Sequence, residues 1–404
     1  MSEQTIAIIS IEELVPGMYV NRVVKQKGSL KMKSKGLVKR QDIIESLKSK
    51  GIVEVEVDYS KSHLEEINVQ DKAEEAAHPE PEIKPKKQQS VGEALVAGQE
   101  LHDRAKQAHE AFLQRIREGQ SVDVSPIKEI SEEIIESVFN EADGLSCVAL
   151  MKDTPDYILE HSVNCAIYMT IFAKHMEFDK ALCTDLCLAG FLMDCGMATV
   201  PADILAKPGK LNKDEMALIY PHVDFGLDIL EKAGDVNDVV LGVVRDHHER
   251  LDGSGYPEGK AGENINAYGR MAAIVDCYDA MTNDRPYRRG MTPTNALKQL
   301  LADSSGRFDQ SLVQQFIRSI GVHPVGSLVK LKSGKLGIIV KANKADPLKP
   351  LVMSFYSIRT GHHTEIKRVD LAKVDDEIEV SVRPDDFKIS LTKFFREVFL
   401  PSLQ

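Results

Sequence analysis

The sequence predicts a mainly α central helical bundle, flanked by a small α+β module before it and a β-rich module after it. Three observations predict this. Apolar residues recur at helical spacing from about Asp123 to Val322. The apolar period falls to two on either side of that stretch. A charged segment carrying Pro79, Pro81 and Pro85 separates the first module from the rest. At 404 residues, the chain has the length for two or three domains with a sizeable core.

Residues 1–60 read as the α+β module. Thr5 to Ile9 is apolar and β-branched, and Val15-Pro16-Gly17-Met18-Tyr19-Val20 is a turn entering a strand. Gln41 to Lys50 places Ile43, Ile44 and Leu47 at helical spacing, and Gly51 stops it. From Ile52 to Val57 apolar residues alternate with glutamates, the pattern expected of an exposed or edge strand. Residues 61–90 are too polar to bury a core and read as a linker. Residues 91–122 form a connecting amphipathic helix, which could pack on the next domain or pair with a second copy. Residues 123–322 are the helical domain, with helices expected over 127–139, 157–176, 181–194, 213–233, 236–250, 269–283, 293–303 and 310–320. Residues 323–404 form the β-rich module, with strands expected over 327–331, 336–341 and 351–356 and a closing helix over 388–399. No repeat at a solenoid period is present.

Composition narrows the function. The net charge of -11 supplies no basic excess to neutralise phosphates, which argues against general nucleic-acid binding. No apolar run is expected to span a membrane, and the N-terminus lacks a signal-peptide pattern. The six cysteines have no Cys-x-x-Cys spacing and sit mostly in apolar helical context. Reduced, buried thiols in a cytoplasmic protein are therefore expected.

Chemistry concentrates in the helical domain. In His247-His248-Glu249-Arg250-Leu251-Asp252-Gly253-Ser254-Gly255-Tyr256-Pro257, two imidazoles and two carboxylates run straight into a glycine-rich turn. Imidazoles and carboxylates together suit a borderline divalent metal. His161 lies inside one expected helix, Asp194 ends another, and His222 follows Tyr220-Pro221. Asp276 and Asp279 lie three apart on one helix face. A lone helical histidine is usually a satisfied structural residue. An ordered set of them on successive helices is how helical bundles build metal sites.

These residues resemble a known family. The region from about Leu145 to Gly321 is similar to the HD-GYP subgroup of HD-domain phosphohydrolases. The match rests on His247-His248-Glu249, Asp252-Gly253-Ser254-Gly255-Tyr256-Pro257, Asp276-Cys277-Tyr278-Asp279-Ala280 and Asp284-Arg285-Pro286-Tyr287-Arg288. The N-terminal module also resembles the small domain that precedes HD-GYP in one bacterial architecture. The resemblance implies hydrolysis of the second messenger cyclic di-GMP, to the linear dinucleotide or GMP, with iron or manganese as the divalent metal. It implies that Asp194 bridges the metals, that His222, His247 and His248 hold one ion, and that His161 and Asp276 help hold the other. Asp194 and Asp276 thereby carry the catalytic role. Gly255, Tyr256, Pro257, Arg285 and Arg288 would contact substrate, the arginines gripping phosphate through forked donors. A homodimer, or a signalling partner such as a diguanylate cyclase, is compatible with the terminal modules by analogy.

The chain departs from the family at one motif. The family's His-Asp-x-Gly-Lys is here Met193-Asp194-Cys195-Gly196-Met197. Thioether sulfur suits copper(I), not iron(II) or manganese, so Met193 does not replace an imidazole. Met197 has no proton to donate to phosphate. Two readings follow: a phosphodiesterase with an impaired two-metal site, and a degenerate HD-GYP domain that binds cyclic di-GMP or a protein without hydrolysis.

Overall fold

The computed structural model describes residues 6–26, 36–38, 43–44, 47–48, 52–62, 90–151, 157–284 and 288–403. The chain divides into two compact units, residues 1–88 and 89–404.

In the first unit, β1 (Ile6–Ser10), β2 (Tyr19–Gln26), β3 (Gly36–Leu37) and β4 (Ile52–Asp58) form an antiparallel sheet in the order β1-β4-β2-β3. The expected edge strand β4 is therefore central, paired to β1 on one side and β2 on the other. Its alternation reports one buried face, not an unpaired edge. Ile52, Val55 and Val57 turn that face onto a core with Ile11, Leu14, Val20, Ile44 and Leu47. Of the helix expected over 41–50, only 43–44 and 47–48 are described, and these are helical. Residues 63–89, most of the expected linker, lie outside the described residues.

The second unit opens with α1 (Val91–Arg117), started by a Ser90/Glu93 capping box. Next come α2 (Ser125–Asn140), α3 (Ala142–Ala149), α4 (Tyr157–His175) and α5 (Lys180–Leu192). The bundle continues with α6 (Lys213–Ile219), α7 (His222–Ala233), α8 (Asp238–Asp246), α9 (Ala267–Thr282), α10 (Pro293–Asp303) and α11 (Gln310–Ile320). Apolar residues circle α4 and α5 almost completely, which marks central helices. The stretch Lys180–Thr199 does reach the length and hydropathy of a membrane span, contrary to expectation, but 72% of its apolar 18-residue window is buried inside the protein.

Two expected helices break differently, and both breaks shape the site. The stretch 213–233 is two helices separated at Tyr220-Pro221, because proline lacks the amide a continuing helix needs. His222 thus becomes the first residue of α7. The stretch 236–250 stops at Asp246, so His247 and His248 lie just past a helix end. Helix α3 went unpredicted; its Gly144 and Ser146 weaken the local signal.

The C-terminal strands β5 (Leu328–Leu331), β6 (Lys335–Lys341), β7 (Leu351–Ser357), β8 (His362–Asp370) and β9 (Ile378–Ser381) form an antiparallel sheet in the order β8-β7-β6-β5-β9. The two strands not expected, β8 and β9, are its mostly exposed edges, which carry little apolar alternation. The sheet shares one core with the bundle, where Leu95, Cys147 and Val148 meet Val329, Ile338 and Val352. The closing helix is a short turn, Leu391–Phe394, running into a π-turn, Phe395–Phe399.

Candidate metal centre

Side chains from five parts of the bundle converge in one cluster that includes Asp194. His161 comes from α4, and Asp194 stands just past α5, before the turn Cys195–Thr199. His222 opens α7, His247 and His248 follow α8, and Asp276 with Asp279 comes from α9. Glycines permit the close approach. A Cβ on Gly196 would stand 1.9 Å from the His222 carbonyl oxygen and 2.7 Å from the Gly226 nitrogen. Only glycine lets the turn after Asp194 press against the start of α7. The end of α8 is tied down by Asp246, which accepts from the Asn266 amide at 2.6 Å and from Lys260 Nζ at 2.8 Å.

The resulting geometry has two overlapping donor sets. One is Asp194, His222, His247 and His248; the other is His161, Asp194 and Asp276. Within each set the donor atoms lie within 4.8 Å of one another. His222 Nε2 lies 3.3 Å and His247 Nε2 3.6 Å from Asp194 Oδ1, while His161 Nε2 lies 3.4 Å from Oδ2. His161 Nε2 is also 3.1 Å from Asp276 Oδ1, and His248 Nδ1 is 3.6 Å from Asp276 Oδ2. All but His248 are buried, and His248 is partly so.

Electrostatics keep both carboxylates ionised. Burial by itself would raise the Asp194 carboxyl, but His161, His222 and His247 overcome it and hold the group well below its usual range. Asp276 is lowered likewise, burial being outweighed by His161 and His248. Burial, then the neighbouring His247 ring, holds His248 neutral, as a metal-ligating imidazole must be.

The donor orientation fits a metal. His222 Nδ1 donates to the Ile219 carbonyl and His247 Nδ1 to the Val244 carbonyl, each at 2.8 Å. With an ion bound and those protons kept on Nδ1, both Nε2 atoms would face their lone pairs to the ion beside Asp194. Both are buried and lack a hydrogen-bond partner among the described residues. A buried nitrogen left so is costly unless a proton or a metal ion sits between it and Asp194. An all nitrogen-and-oxygen set suits iron, manganese or zinc better than a soft ion.

Other residues support these. Asp279 Oδ2 accepts from His161 Nδ1 at 2.7 Å, orienting that ring. Its spacing from Asp276 singled it out in the sequence without a role. Glu249 is buried and accepts from the Glu258 amide at 2.8 Å, which closes the glycine-rich turn. Gly255 is required there, since a Cβ would lie 2.5 Å from Glu249 Cα and from the His248 carbonyl oxygen. Tyr256 packs its ring 4.5 Å from His248 and 4.4 Å from Tyr220, centroid to centroid, and so walls one side of the cluster. Pro257 is partly buried beside it. Arg288 is exposed and donates to the Ala280 carbonyl at 2.7 Å. Arg285 lies outside the described residues. Met193 is fully buried and Met197 partly so.

A helical bundle that gathers histidines and aspartates from successive helices around one shared carboxylate defines a metal-site domain of the HD type. Residues 146–312 match the HD domain family model, and the chain belongs to that family. Residues 6–127 match a domain of unknown function, DUF3391. The chain is 36% identical over 273 residues, 68% of its length, to the cyclic di-GMP phosphodiesterase PA4108 of Pseudomonas aeruginosa. It is 25% identical over 212 residues, 52% of its length, to the cyclic di-GMP phosphodiesterase PdeB of Borreliella burgdorferi. These matches span 66% and 55% of the two relatives. A solved structure, Bd1817, an HDG"Y"P protein from Bdellovibrio bacteriovorus, aligns over 77% of this chain and 98% of its own, at 16% identity and a TM-score of 0.48.

Proposed function

We propose that this chain hydrolyses cyclic di-GMP, to the linear dinucleotide or GMP, with one or two divalent ions of iron or manganese. His161, Asp194, His222, His247, His248 and Asp276 would hold the ions. The observation that carries the reading is the buried Asp194 carboxylate shared between two donor sets. The activity named for the Pseudomonas and Borreliella relatives supports the choice of substrate.

A phosphodiester resists hydrolysis because it and hydroxide are both anions. Paired divalent ions supply a water of lowered pKa and a clamp on the phosphate oxygens. The chain's own residues do the rest. Asp194 and Asp276, kept ionised, fix the positions of positive charge. His222 and His247 present Nε2 because backbone carbonyls hold their other nitrogens. Tyr256, packed on His248, gives a flat wall for a purine or the ribose-phosphate. Arg285 and Arg288 would grip the second phosphate. A cytoplasmic setting belongs to the same proposal.

A second reading is favoured by Met193 and Met197, which replace an imidazole and an ammonium beside Asp194. In it the domain binds cyclic di-GMP, or a signalling protein, without turnover. The test is direct. The protein is purified anaerobically with manganese or iron, its metal per chain is measured, and it is incubated with cyclic di-GMP. Turnover abolished by His247→Ala supports the enzyme. Tight binding without turnover, with activity restored by Met193→His, supports the sensor. Neither binding nor turnover refutes both.

A further inference from the structure

Helix α1 reaches the metal centre through a buried chain of polar contacts that lies outside the matched HD domain at one end. His102 on α1 is 3% exposed, and its Nε2 lies 3.3 Å from Asn164 Oδ1. Asn164, one turn beyond His161 on α4, is 1% exposed, and its Nδ2 donates to Asp279 Oδ1 at 3.1 Å. Asp279 is fully buried, and its other oxygen accepts from His161 Nδ1. His161 Nε2 then faces Asp194 and Asp276.

The direction of each bond is forced. An ionised Asp279 can only accept, so the Asn164 amide must turn its NH2 toward it. That leaves the Asn164 carbonyl facing α1, where it needs a donor, and His102 Nε2–H is that donor. Take the donor away and the Asn164 oxygen is buried without a partner; rotating the amide would set its carbonyl against the Asp279 carboxylate, so relief comes only from a shift of the side chain that loosens its N–H bond to Asp279. The Asp279–His161 bond, which orients the ring, would then be disturbed. Asp279, bonded directly to the imidazole, is the kind of partner whose removal commonly changes metal affinity by about 10–100-fold, and His102 acts on it through Asn164.

We infer that His102 is a positioning residue for the metal centre, and that α1 sets the affinity of the His161–Asp194–Asp276 position while leaving the His222–His247–His248 position largely untouched. This rests on the metal reading proposed above. Residues 6–127 match the DUF3391 model, so the segment that carries the N-terminal module also carries His102. The chain of contacts is thus a route by which α1 can tune the HD domain.

The test is Mn2+ titration of the full chain, with three variants beside the wild type. His102→Leu and Asn164→Leu should weaken one class of bound ion by up to about tenfold and spare the other. His102→Gln, which returns an N–H donor, should restore most of the loss. Equal binding in His102→Leu and wild type, or an equal weakening of both ions, would overturn the inference. A second readout needs no metal. In chelated protein with 15N-labelled histidine, the Nδ1–H signal of His161, assigned with His161→Gln, should shift in His102→Leu and return in His102→Gln. An unmoved signal overturns the relay. A wild type that binds no Mn2+ refutes the metal reading, and the histidine signal still decides the chain of contacts by itself.

Discussion

His109 offers a sharp test of how the bundle is held together. It lies on α1, fully buried between Phe112 and Phe191, and neither ring nitrogen has a hydrogen-bond partner among the described residues. Burial pushes its pKa from 6.5 down to about 3. The folded chain therefore keeps the ring neutral, while the unfolded chain takes up a proton as pH falls below about 6.5. Unfolding gains a proton in that window, so stability drops as pH falls through 6.5 and continues to drop until about 3. pH 5 lies about 1.5 units below the ring's unfolded pKa, which amounts to about 2 kcal/mol lost relative to pH 8. His109→Phe removes the titration and fills the site with another flat ring. Urea unfolding of metal-free wild type and variant, followed by far-UV circular dichroism since the chain has no tryptophan, gives both stabilities against pH. The variant should gain on the wild type by about 2 kcal/mol between pH 8 and pH 5, whatever its constant offset. Parallel curves over that range would refute the argument.

Metal should stabilise the fold, because the two donor sets exist only when the helices are assembled. Mn2+ at a hundred times its Kd should add about 2.7 kcal/mol, read as a higher thermal midpoint that a chelator reverses; an unchanged midpoint counts against a metal site. Gly196→Ala forces a Cβ against the His222 carbonyl and should cost about 1–3 kcal/mol while lowering metal per chain. An alanine variant with unaltered melting and metal content would show that this close approach does not hold the site. Met193→His should raise occupancy of a second ion and increase hydrolysis of cyclic di-GMP; no gain in either would place the defect elsewhere. Asp194→Asn removes the shared anion and should lower binding of both ions together, whereas loss of only one would mean the two donor sets are independent.

The fold class could be read from the chain because periodicity records burial. Helices α10 and α11 fall where the spacing puts them, since a single apolar stripe packs on the bundle. Readings failed where the local pattern was shared by two outcomes. Strand β4 alternates because one face is buried, and alternation says nothing about neighbours on its flanks. Strands β8 and β9 are held by backbone pairing, which leaves little trace in side chains. The break at Tyr220-Pro221 was visible in the proline, yet only the structure makes His222 a helix start.

The sequence by itself determined the chemistry on offer: the twin histidines, the glycine-rich turn, the paired aspartates of α9 and the methionines beside Asp194. Those are properties of residue type and near spacing. Tertiary structure decided which of them meet. His161 and Asp279 are 118 positions apart, and no local pattern says that their side chains touch. The role of His102 is further still from view, because it exists only through an asparagine on a second helix and an aspartate on a third. Convergence depends on how helices cross and on where glycine lets backbones approach. Both are consequences of packing the whole bundle, and neither is written in any one stretch of the chain.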